Sequence, residues 1–292
     1  MAVAERSTAA ASEAQGAPAR GAQPRRKGWF LPTYTALVIA YLFIPVLTMV
    51  AFGFNDFTGK FNFAWEGFTL KHYGNLFDFP ELTLALRNSM IIAALSTFTA
   101  TVLGTLIALA LTRFSFRGRS GLNLFLFIPM ATPEIVLGVS LLSMFVSVNL
   151  ERGFGTVLIA HIMFSISYVV VTVKARTSGF DRNLEDAAQD LGASPWTTFW
   201  TVTFPLIWPG IVAAGLLAFV LSLDDYVVTV FNAGATITLP LWIFGASRFG
   251  VPAQVNVIGT IIFMLGVVYV VVSLLREKRR AAGPPTPGVL GG

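Results

Sequence analysis

The chain has 292 residues, of which 55% are hydrophobic and only 12% charged, with a mean hydropathy of +0.72. A soluble domain carries roughly a quarter charged residues, so the composition excludes a water-soluble fold. The formal charge of +5 points to membrane topology and not to nucleic acid, because the basic residues flank apolar runs, and the absence of cysteine excludes a disulfide framework, a thiolate metal site and a cysteine nucleophile.

Residues 1–28 are rich in Ala, Ser, Gly, Pro and Arg and lack an apolar run, so they are expected to form a disordered cytoplasmic tail rather than a secretory signal. Six apolar runs follow, each near the ~20 residues needed to cross a bilayer as a helix. They are Thr33 to Phe54, Asn88 to Leu111, Leu122 to Val146, Gly155 to Val173, Leu206 to Phe231 and Val255 to Leu275. Together they predict one all-α integral membrane domain over residues 29–280, with a flexible cytoplasmic tail over 281–292. With both termini in the cytoplasm, most of the twenty basic residues fall on inner segments, among them Arg25, Arg26, Lys27, Arg113, Arg117, Arg119, Lys174 and Arg176. Lys60, Lys71, Arg87, Arg152 and Arg248 remain outside, the bias that sets orientation during insertion.

Two connections are long. The outer one, 55–87, mixes aromatics with Gly and Asn and is expected to pack as a cap over the bundle. The inner one, 174–205, is polar and carries helix signals. Asn183 is a plausible N-cap for a short helix that stops at Gly192, where glycine can take the left-handed conformation. Ser194 then caps a second helix, with Pro195 in its first position, where a missing N–H costs nothing. The result is a helical elbow leading straight into a span.

Between Leu184 and Pro209 this elbow resembles the coupling loop of bacterial ABC-importer permeases, whose pattern is Glu-Ala-Ala, three residues, Gly, nine residues, Ile, one residue, Leu-Pro. Asp186, Ala187, Ala188, Gly192, Val202, Phe204 and Pro205 occupy the corresponding positions with the spacing intact. Asp186 replaces the expected Glu, and the preceding Glu185 could supply the longer carboxylate. Further segments resemble the spermidine/putrescine permeases: Arg117-Gly118, Met130 to Val136, His161-Ile162-Met163-Phe164, Gly179-Phe180-Asp181 and Leu221-Ser222-Leu223-Asp224-Asp225. The resemblance implies a type I importer permease fold and pairing with a second permease subunit. It also implies two ATPase subunits, one of which receives this elbow at Glu185, Asp186, Ala187, Ala188, Gly192 and Pro205, and an external substrate-binding protein. No cofactor is expected on this chain. Its nearest approach to a P-loop, Gly53 to Lys60, has the wrong glycine spacing and Phe61 where Ser or Thr should bind magnesium. MgATP is therefore expected on the partner ATPase, and the chain is expected to be a transport subunit and not an enzyme.

Charges inside spans are costly and mark pathways or paired sites. Asp224 and Asp225 lie in the fifth apolar run, where a continuous helix would place Ser222, Asp225 and Thr229 on one polar stripe and turn Asp224 about 100° away. No Lys or Arg lies within the six runs to neutralise them, so a small cationic solute is one natural partner, with Tyr226 offering an aromatic face. The alternative is a structural pair held by backbone donors or by cations of another subunit. Which of the two faces the path stays open. Glu134 could line the same path or, after Thr132-Pro133, serve the exposed amides of a restarting helix. His161 is read as a satisfied interior histidine. Rival readings are a permease of the same fold for another solute, an ion-coupled secondary transporter, which would have no use for the spaced loop, and a membrane enzyme, for which no catalytic constellation is evident.

Overall fold

A computed structural model describes residues 29–281 except Phe180 and Arg182, with side-chain surroundings through Arg276. The expected disordered tail (1–28) and the flexible tail beyond residue 281 lie outside the described residues. Apart from one isolated bridge between Asn55 and Phe68, the described residues form helices and connecting loops. The chain divides into two compact units, Met1–Thr48 and Met49–Gly292. The first contains most of α1 (Phe30–Phe52), a wholly apolar helix with Pro45 inside it and no buried residue.

The second unit is built on three long helices: α3 (Pro80–Arg113), α6 (Phe154–Ser178) and α9 (Phe204–Asp224). Lipid supplies no hydrophobic drive between helices, so close association depends on small side chains and on hydrogen bonds. The sequence provides both. The buried face of α3 carries Ala85, Ser89, Ala93, Ser96, Ala100, Gly104 and Ala108, three or four residues apart. On α9, Gly210, Ala214, Ala218 and Ser222 recur every four residues and are buried as well. Val169, Val170 and Val173 of α6 fill the space between these stripes. The approach is tight at Gly104, where an added Cβ would stand 2.6 Å from Val169 Cγ1.

The remaining elements differ from the expected spans in instructive ways. The third apolar run is two helices, α4 (Arg119–Ala131) and α5 (Glu134–Ser147), bent by 108° at Thr132–Pro133. Counting that pair as one broken span, up to six candidate spans are present among the described residues. The fifth run is not one helix to Phe231. It stops at Asp224, and α10 (Val227–Asn232) follows. The second helix starts earlier than its apolar run, at Pro80, and α12 (Ala253–Ala281) overruns the sixth run at both ends. Between α10 and α12 lies α11 (Leu239–Ala246), which packs on α3 and α9.

The outer connection is packed, as expected of a cap. Its centre is the fully buried Asn55, whose amide donates to Asn62 Oδ1 and the Ala64 carbonyl and whose oxygen accepts from the Glu66 amide at 2.8 Å. Its short helix α2 (Lys71–Gly74) reaches α12 and places buried His72 against the Asn55 carbonyl. Overpacking a tight core typically costs about 1–3 kcal/mol. Gly104→Val is therefore expected to lower the unfolding temperature of the detergent-solubilised protein, whereas Gly266→Val, which meets nothing within 4 Å, leaves it unchanged.

Candidate functional site

The two helix breaks face one another across a cavity of about 450 Å³, lined by Glu134 after the first break and by Asp224, Asp225 and Tyr226 at the second, with Phe164 and Tyr168 of α6 between. At the first break Thr132 is extended (ψ 132°) and Pro133 cannot donate, so α5 starts afresh with Glu134 in its first turn. Glu134 stands in the first turn of α5, where a carboxylate suits the helix dipole, and it also lines the cavity.

At the second break the backbone of Asp225 is extended (φ −63°, ψ 118°). Its carboxylate turns inward and accepts from the Val228 amide at 3.3 Å, the Thr229 amide at 2.8 Å and the Thr229 hydroxyl at 2.7 Å. His161 Nε2 stands 3.3 Å from the same carboxylate, and both side chains are buried, at 2% and 8% exposure. The expected single helical stripe is thus corrected. Ser222, Asp225 and Thr229 do meet, but around the histidine ring and across a break, because Asp225 supplies acceptors for amides that lose their helical partners there. His161 is the satisfied interior residue expected of it. Asp225 is held by backbone donors, as the structural alternative has it, and the His161 ring is a further partner on α6.

Asp224 behaves differently. It is exposed in the isolated chain, and among the described residues no cation forms an ion pair with it or with Glu134. It borders a second cleft of about 540 Å³, lined by Tyr226, Ile243 and Phe244. There the Tyr226 and Phe244 rings lie 4.7 Å apart, and the Arg248 guanidinium sits 5.7 Å from the centre of the Phe244 ring.

The elbow forms as its residues dictate. Helix α7 (Asn183–Asp190) ends in a Schellman turn: the Ala193 amide donates to the Ala188 carbonyl at 3.1 Å and the Gly192 amide to Gln189 at 2.8 Å, with Gly192 left-handed at φ +89°. Ser194 Oγ accepts from the Thr197 amide and caps α8 (Pro195–Thr198), which continues through a π-helical turn, Phe199–Thr203, into α9. At the other end the Asn183 amide is met by the Asp181 carboxylate, a cap supplied two residues earlier than expected. Between the two candidate acids the geometry discriminates. Glu185 is turned inward onto Arg113 of α3 and the Thr203 hydroxyl, while Asp186 and Ala187 are exposed. Around them Leu184, Leu191 and Trp196 are 49, 90 and 71% exposed, an apolar surface in need of a partner. Pro205 sits just inside the start of α9, in a position that tolerates its missing N–H. A larger cleft of about 600 Å³ lies beside this elbow, lined by Arg113, Lys174 and Glu185, well away in sequence from the membrane acids.

Residues 100–277 match the family model described as the binding-protein-dependent transport system inner membrane component. The chain belongs to that family. This inner membrane component is 38% identical over 253 residues to the spermidine/putrescine permease PotC of Shigella flexneri, covering 86% of this chain and 95% of that protein. It is 40% identical to PotC of Haemophilus influenzae, covering 83% of this chain and 94% of that one. To the putrescine permease PotI of Escherichia coli it is 37% identical, with 80 and 85% covered. Among solved structures, the bacterial alginate ABC transporter in complex with its pentasaccharide-bound periplasmic protein aligns with a TM-score of 0.62 at 15% identity, over 88% of this chain and 96% of that one. The methionine transporter MetNI, in inward-facing conformations, aligns at 0.54 and 18%, over 70 and 97%. These two share the fold, and the fold is that of an ABC importer permease. The component is a multi-span membrane permease, as the apolar runs and the elbow led one to expect.

Several residues of the component's site had no sequence signal. Arg113 and Thr203 are far in sequence from Glu185, and Ser96, Tyr168 and Phe244 are single residues on apolar helices. Removing Arg113 strips a half-buried carboxylate of its charged partner, and such a bond is worth roughly 1.5–3 kcal/mol. Arg113→Ala is expected to loosen the elbow and to speed limited proteolysis between Leu191 and Ser194 in the purified transporter.

Proposed function

We propose that the chain is one of two permease subunits of an ATP-driven importer that carries a polyamine of the spermidine/putrescine class into the cytoplasm of a bacterium. The observation that carries this reading is the pair of cavity carboxylates, Asp224 and Glu134, with no opposing cation among the described residues. A multiply charged ammonium chain supplies that cation. Its charges suit the two acids, and the rings of Tyr168 and Tyr226 suit its polarised methylenes and ammonium groups. An anion would meet the wrong sign of charge there. The cargo named for the curated relatives agrees with this electrostatic argument, and the two lines of support are independent.

Orientation follows from the basic residues. Both termini and the elbow face the cytoplasm, which places Asp186, Ala187, Leu191 and Trp196 where an ATPase subunit can dock on them. Glu185 acts one step behind that surface, tying α7 to α3 through Arg113, so that a push on the elbow is delivered to the helix that packs along α6 and α9. MgATP belongs to the two ATPase subunits. The second permease closes the open side of the cavity, and an external binding protein delivers the cargo.

Radiolabelled spermidine and putrescine uptake, with and without this subunit, tests the cargo directly: loss on deletion and recovery with the intact gene support a polyamine, and indifference assigns another solute to the same fold. Asp224→Asn removes the free charge without disturbing the buried knot. It is expected to raise the half-saturating concentration by at least about tenfold, the equivalent of ~1.4 kcal/mol, at unchanged expression. Gly192→Pro cannot adopt the left-handed Schellman turn and is expected to abolish transport-coupled ATP hydrolysis. Full coupling in that variant would show that the ATPase docks elsewhere.

A further inference from the structure

The His161 ring bonds to both of the helices that meet at the Asp224–Tyr226 break and to Asp225 within it. Nδ1 is 2.7 Å from Ser222 Oγ on α9, and Nε2 is 2.9 Å from Thr229 Oγ1 on α10. The Thr229 hydroxyl owns a single proton and gives it to Asp225 Oδ2. It must therefore accept from the ring, which places a proton on Nε2 and aims that N–H at both Thr229 and Asp225. On the other side Ser96 of α3 donates to Ser222 at 2.9 Å, so the chain of bonds continues into the tight three-helix core. The ring of Phe164 closes over the histidine at 5.3 Å. Ser222, His161 and Thr229 are all buried.

The consequence is geometric. The imidazole holds one residue two positions before Asp224 and another five positions after it, and a third bond holds Asp225 itself. Only the short stretch between Ser222 and Val228 is left to change course, and Asp225 cannot turn outward while four donors hold it. Both aspartates border the cavity, but with Asp225 clamped inward and its side chain 8% exposed, Asp224 is the exposed carboxylate of the two. A histidine that merely filled space would have no need of partners on both sides of the break.

We propose that His161 is a positioning residue that locks the α9–α10 break in register, so that Asp224, and not Asp225, presents its carboxylate to the transported cation. The inference deepens the reading of Asp224 as the counter-charge of the cargo, and its test does not depend on which cargo is moved.

The sequence contains no cysteine, so Asp224→Cys places one reporter thiol in this subunit. The whole transporter, with its other subunits made cysteine-free, is labelled in membrane vesicles with a cationic thiosulfonate reagent. Adding His161→Phe, which keeps the volume and removes both nitrogens, is expected to slow labelling at position 224 by at least about fivefold, and His161→Gln, whose amide can reach the Asp225 side, to restore it to within about twofold. A second reporter, Thr132→Cys on the opposite cavity wall, is expected to react at its original rate. Equal labelling at 224 with and without the imidazole overturns the proposal, and so does a parallel loss at 132, which would indicate general collapse. If His161→Phe does not assemble, Thr229→Val cuts the same link from the other side and is held to the same outcomes. With Asp224 restored, His161→Phe is expected to raise KM for spermidine with little change in kcat. A transporter that moves no polyamine defeats the cargo reading but leaves the labelling result to decide the role of His161.

Discussion

A helix broken inside a bilayer releases backbone N–H and C=O groups that lipid cannot satisfy. This protein breaks two of its spans, and the arrangement of its membrane acids follows from how each break is satisfied. At Thr132–Pro133 the problem is reduced at source, since proline has no N–H and Thr132 returns its hydroxyl to the Ile128 carbonyl at 2.7 Å. At Asp224–Tyr226 no proline helps, and the Asp225 carboxylate takes up the amides of Val228 and Thr229 instead. A buried carboxylate then needs a partner of its own, which His161 provides from α6.

Two adjacent aspartates thereby acquire separate roles from a single structural requirement. Asp225 is consumed by the break and held by it. Asp224, one residue earlier, inherits the exposed side of the bend and stands with Glu134 on the cavity. The same cavity is bounded by both breaks, so the interruptions that cost the fold helical hydrogen bonds are also what give Asp224 and Glu134 room in an otherwise apolar bundle. The core beneath is correspondingly rigid: stripes of Ala, Gly and Ser on α3 and α9 let the backbones approach α6 closely enough for Ser96, Ser222 and His161 to bond across three helices. The elbow joins this core through the Glu185–Arg113 pair at the end of α3.

Much of this was legible in the sequence, for reasons that differ by element. The elbow could be read nearly residue by residue, because Gly192, Ser194 and Pro195 act locally: a left-handed turn, an oxygen cap and a fixed φ need no distant partner. The bend at Thr132–Pro133 was legible as a helix restart for the same reason. The second break was not. Its run of apolar residues continues past Asp225 to Phe231 without a glycine or proline, and hydropathy alone carries the helix through. The one available hint was two consecutive aspartates, poor helix formers, followed four residues later by a threonine that could bond back.

The sequence by itself determined the membrane environment, the positions of the apolar runs, the orientation bias of the basic residues, the spaced elbow and the presence of three acids within the spans. Each of these depends on composition or on signals a few residues apart. Only the tertiary structure decided that Asp225 is bound to His161, that Glu185 turns in to Arg113 while Asp186 stays outside, and that Asp224 shares its cavity with Glu134. These pairings join residues on different helices, and the choice between them rests on which buried amides and charges would otherwise be left without a partner, a question that arises only once the helices have packed.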